Sequence, residues 1–149
     1  MKRSFYPVMG DDNYPEYLSV ISSQKCGRIK IDDIEVIEQE GRKIHIVTAE
    51  RDYAIYESIS GIIPVLVGRA FYRPIKGLII NFDHVKDITG NTIYFHSGQS
   101  ISMGKNSISK TRTSYKKYLL KYPPYSLWDR SMHSADKVAD GGNTTKIGE

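Results

Sequence analysis

The chain has 149 residues, 40% hydrophobic and 26% charged, a balance that suits a packed core and excludes a wholly disordered chain. The single cysteine, Cys26, excludes an intrachain disulfide, and four scattered histidines leave no zinc-binding spacing. No run nears the ~18 apolar residues of a membrane helix. Lys2 and Arg3 are followed by Asp11 and Asp12 before any apolar stretch, which argues against a secretory signal and for a cytoplasmic protein.

The formal charge of +4 is unevenly spread. Residues 1–26 are neutral, residues 27–66 carry −3 and residues 123–149 carry −1, whereas residues 67–122 hold ten basic against two acidic groups, or +8. Such a block suits a polyanion, because each phosphate neutralised releases counterions.

Along the chain, residues 1–26 read as an N-terminal arm with aromatic and proline punctuation, in which Tyr17 to Ile21 suits a short strand or a helical turn. From Arg28 the period becomes two. Ile29 and Ile31 alternate with Arg28 and Lys30, then Ile34, Val36 and Ile37 lead to a turn at Glu40-Gly41. Ile44, Ile46 and Thr48 alternate with Lys43, His45 and Val47, and Tyr53 to Tyr56 adds a short strand. Ser58 or Ser60 suits the cap of a brief helix ending near Pro64. Ala70 to Arg73, Gly77 to Phe82 and Val85 to Ile88 read as strands. Turns at Thr89-Gly90-Asn91 and Ser97-Gly98-Gln99 frame two more, Thr92 to His96 and Ser100 to Met103.

Ser107 suits the N-cap of one clear helix over Ile108 to Lys121, with Ile108, Tyr115 and Leu119 on its apolar side, and Pro123-Pro124 stopping it. Residues 123–149 form a C-terminal extension, most of it a polar tail expected to be disordered. The fold class is mostly β: short antiparallel strands in small sheets, one short helix and one C-terminal helix.

Catalysis has little support. His45, His84, His96 and His133 lie in separate segments without a nucleophile motif, and Gly61, Gly68 and Gly77 are not spaced as a phosphate loop. Asp32-Asp33 and Asp83 superficially resemble the acidic residues of a phospho-receiver domain. That fold needs helices between its strands, and Glu35 to Tyr56 alternates with period two instead. No enzyme activity and no cofactor are expected. Binding fits better. Arg42 and Lys43 sit at a turn, and Arg73, Lys76, Lys105 and Asn106 lie in or beside loops. Arginine and lysine bond phosphates or the guanine edge, and asparagine bonds adenine or backbone. Asn81 at a strand end serves either DNA or a turn, the turn being the commoner use. Eleven tyrosines among basic residues also suit stacking on single-stranded nucleic acid.

The run FYRPIKGLIINFDHVKDI, Phe71 to Ile88, resembles the signature of the LytTR DNA-binding domain family. IDDIEVIEQEGRKIHI, Ile31 to Ile46, is similar to the family's opening strands, and Tyr56 to Leu66 sits where its short helix lies. SISMGKNSISKTRTSYKKYL, from Ser100 onward, resembles its Pro-Val-Ser-Arg-Arg segment and closing helix. The resemblance covers residues 27–122. It implies stacked small sheets whose loops enter successive major grooves of double-stranded DNA, in a bacterial transcription regulator acting as a homodimer on direct repeats. Only the arm precedes this domain, which implies a stand-alone member without a receiver domain.

Matched position by position, the resemblance implies DNA contacts at Arg42 and Lys43, Lys76, Asn81, and Lys105 with Asn106, and Arg73 joins them as a basic residue beside the same loop. Ile75 stands where the family often has histidine, Gly77 where it has serine, and Gly104 where it has the serine before its arginines. These departures imply a different target sequence, a weaker base preference, or a degenerate domain that pairs with other proteins.

Overall fold

The computed structural model describes residues 15–121, 127–129 and 131. All its sheets are antiparallel. The first strands, β1 (Tyr17–Ile21) and β2 (Cys26–Lys30), form a hairpin whose turn is closed by Ser22. The expected arm therefore joins the fold from Tyr17 onward. Val20 is buried in the main core with Leu18 against it, so burial pulls this end of the arm into the sheet layer.

A 3-10 turn over Ile31–Asp33 leads to β3 (Ile34–Glu40), β4 (Lys43–Thr48) and β5 (Asp52–Tyr56). Helix α1 (Ile59–Leu66) follows, then β6 (Phe71–Ile75) and β7 (Leu78–Asn81). These strands make a five-stranded sheet in the order β5-β4-β3-β7-β6. A second 3-10 turn, Phe82–His84, passes the chain to β8 (Val85–Thr89), β9 (Thr92–Phe95) and β10 (Ser100–Ser102), a sheet ordered β10-β9-β8.

Burial explains this layering. In β4 and β5 apolar side chains alternate with more exposed ones, as in strands covered on one face. In β3 the run Ile34 to Ile37 is buried without a break, and all four residues of β7 are buried, so the centre of the sheet is covered on both faces. On one face Ile37, Ile44, Ile46 and Ile79 pack with Val20 and Ile29 of the hairpin and Ile59, Ile62 and Leu66 of α1. Beyond the other face, Tyr72 stacks on Phe82 at 5.2 Å, and Phe82 meets Tyr115 at 5.2 Å.

Ser58 caps α1, its hydroxyl accepting from the Gly61 N–H at 3.0 Å. Helix α1 ends at Leu66, near Pro64 as expected, with Pro64 itself inside its last turn. The ring removes one internal bond, and burial of Ile59, Ile62 and Leu66 holds the two-turn helix regardless. Helix α2 (Lys105–Leu119) starts before the expected Ser107 cap, because the Ile108 N–H already bonds the Gly104 carbonyl at 2.9 Å. Ser107 is inside the helix, and its carbonyl accepts from the Thr111 hydroxyl. The Pro123-Pro124 stop lies outside the described residues, as does almost all of the expected tail.

The chain divides into two units, residues 1–115 and 116–149. In the second, the Lys116 ammonium lies 5.9 Å from the centre of the Trp128 ring, and Asp129 accepts two hydrogen bonds from Ser131. Among the described residues no helix is long and apolar enough to cross a membrane.

Candidate nucleic-acid interface

Antiparallel pairing brings distant turns to one end of the five-stranded sheet. Strand β3 pairs with β7 through Glu38 and Leu78, and with β4 through Glu40 and Lys43. The Gly41-Arg42 turn and the Lys76-Gly77 turn therefore lie side by side. Gly41 takes a φ of 64°, a backbone region that glycine enters without steric cost and that keeps this connection to two residues.

Gln39 braces the two turns. Its Nε2 donates to the carbonyls of Gly41 at 2.9 Å and Lys43 at 3.0 Å, and its Oε1 accepts from the Ile59 N–H at 2.9 Å. Its own backbone N–H donates to the Gly77 carbonyl at 2.8 Å. One residue thus ties together both turns and the start of α1. The amino-acid sequence carries no local sign of this role, since the Ile59 partner lies 20 residues away.

Four of the candidate residues meet at this end. Arg42 and Lys76 are exposed and, among the described residues, have no side-chain partner. The Lys43 ammonium lies 4.9 Å from the centre of the Tyr56 ring, which is itself 74% exposed. Arg73 donates through Nε at 2.8 Å, and through Nη2, to the Lys76 carbonyl, so its guanidinium clamps the β6–β7 turn while staying exposed. Nearby, Glu40 is engaged by His45 at 2.6 Å.

The other three are placed apart. Asn81 is 1% exposed; its amide donates to the Ile34 carbonyl at 2.9 Å and its oxygen accepts from the Asp83 N–H at 3.0 Å. A side chain so enclosed cannot reach a duplex, and its work is to join β3 to the 3-10 turn after β7. Lys105 and Asn106 begin α2, exposed and without side-chain partners among the described residues. They sit near the β8–β9 turn, where Met103 N–H bonds the Asn91 carbonyl at 3.1 Å and Arg112 bonds the Gly90 carbonyl.

Glu35 also escapes a reading by composition. Buried at 1% exposure, its Oε1 accepts from Ser97 at 2.9 Å and Gln99 at 2.6 Å, pinning β3 to the β9–β10 turn. Tyr115 plays a similar part on α2, its hydroxyl donating to the Val85 carbonyl at 3.1 Å. Burial, and then the charge of Asp87, push its phenol above the ordinary value of 10.0. Among the described residues no group of three or more histidine, cysteine, aspartate or glutamate side chains is placed to hold a metal ion.

The family model described as the LytTr DNA-binding domain matches residues 24–116. That range begins three residues before the expected domain start and ends within α2. Among solved structures, the chain is similar to the LytTr DNA-binding domain of a Bacillus cereus protein described as a methyl-accepting/DNA response regulator. The two share 18% identity over 72% of this chain and 99% of that chain, with a TM-score of 0.55, a likeness of fold. No curated protein matches significantly. The mostly β architecture and the family match agree, and the chain belongs to the LytTR DNA-binding domain family, which is not an enzyme family.

Proposed function

We propose that this chain binds double-stranded DNA sequence-specifically, with its turns in the major groove, as a bacterial transcription regulator in the cytoplasm. The observation that supports this most is the grouping of Arg42 and Lys76 on two adjacent turns, with Lys43 and Arg73 on the strands that flank them, in a family built to bind DNA. Arg42 and Lys76 have no acidic partner among the described residues, so their charge is available to phosphates or to guanine. Lys105 and Asn106 supply a second contact from α2. A homodimer on direct repeats would let two protomers read successive grooves.

The test is enrichment of random duplexes on the purified chain, followed by a salt titration of the winner. The expected outcome is a repeated motif whose log affinity falls against log salt by ~0.9 per phosphate contact. Equal binding of all sequences, or none, would sink the reading. A protein-interaction role is the alternative, motivated by Ile75, Gly77 and Gly104 standing where the family has polar residues. Recovery of a partner regulator with no duplex retained would decide for it.

A further inference from the structure

Ile75 is a large apolar side chain, 46% exposed, at the end of an edge strand. Exposed Lys76 follows it, exposed Arg73 lies two residues before it, and the Arg42 turn lies alongside. The β6–β7 register slips between Tyr72 and Ile75, so Arg73 and Pro74 together oppose Ile79. This bulge brings Ile75 onto the same sheet face as Tyr72, three positions earlier, where strict alternation would oppose them. Pro74 suits a bulge on an edge strand, which needs no ladder donor there. The Arg73 clamp on the Lys76 carbonyl closes the turn behind it. A β-branched side chain is stiff at χ1, so the braced turn holds out a fixed apolar tip among cations.

A duplex offers few groups that such a tip can use. Phosphates and most base edges are polar, and the apolar feature of the major groove is the C5-methyl of thymine. We propose that Ile75 packs against that methyl and makes thymine the preferred base under the β6–β7 turn. The inference rests on the duplex-binding reading and deepens it: Arg42 and Lys76 hold the backbone, and Ile75 selects the base.

The test takes the full chain and its enriched duplex, and replaces each thymine in turn with uracil, which removes the methyl alone. One position should weaken by about fourfold, the worth of one buried methyl group. Ile75→Ala should bind the thymine and uracil duplexes equally, and Ile75→Val should keep part of the difference. Both variants should keep the parent's salt slope, because no phosphate contact is touched. Equal affinity of the parent for thymine and uracil at every position overturns the proposal while leaving duplex binding intact. So does a thymine preference that survives in Ile75→Ala. Failure to bind any duplex overturns both readings.

Discussion

Two regions of the molecule use polar side chains to opposite ends. At the turn end of the five-stranded sheet, Arg42 and Lys76 point polar groups at solvent with no protein partner among the described residues. Around the centre of the sheet and the strands that follow it, Asn81, Glu35 and Tyr115 are buried and hydrogen-bonded. Asn81 and Lys76 lie five positions apart in one motif-bearing run, yet one holds the fold together and the other is free for a ligand. The difference teaches that residue type does not assign a binding role; an unspent donor does. A buried group left unpaired is costly, so Asn81, Glu35 and Tyr115 are bonded within the protein, whereas water satisfies the surface until a partner displaces it.

Substitutions should separate the two regions by their effect on stability. Asn81→Ala should cost most, about 2–3 kcal/mol in urea unfolding, because it strands the buried Ile34 carbonyl. Duplex affinity of the folded fraction should then be unchanged; a selective loss of binding with full stability would return Asn81 to the interface. Gln39→Ala is the intermediate case, with about 1–2 kcal/mol lost along with the bonds to Gly41, Lys43 and Ile59. It should also weaken binding, since both turns lose their brace.

Tyr115→Phe should cost about 1 kcal/mol at neutral pH for the bond to the Val85 carbonyl. Its pH signature is sharper. The folded phenol ionises above the unfolded value of 10.0, so its contribution is complete below pH 10 and is lost as pH rises past it. Alkaline unfolding curves of parent and variant should therefore converge above pH 10; parallel curves would mean that Tyr115 does not carry that loss. Smallest on stability are Arg42→Ala and Lys76→Ala, each within about 0.5 kcal/mol of the parent. Each should nevertheless shallow the salt slope of duplex binding by ~0.9 where it meets a phosphate. An unchanged slope and affinity in both would remove the turn end from the interface.

The strands from Arg28 to Met103 follow from the amino-acid order, because alternation of apolar and polar side chains acts over a few neighbouring residues. The one short and one long helix follow in the same way, and the family is visible in the run from Phe71 to Ile88. Other features depend on partners far along the chain. The pairing of Tyr17–Ile21 with β2 needs the core that Val20 enters, and the survival of Pro64 inside α1 needs the burial of its neighbours. Strand-to-strand register decides that Arg42 and Lys76 come together. Enclosure decides that Asn81 turns inward and that Glu35 and Gln39 become ties. Local pattern reports which side chains must leave water. Which polar groups have already found a partner is a property of the whole packed chain.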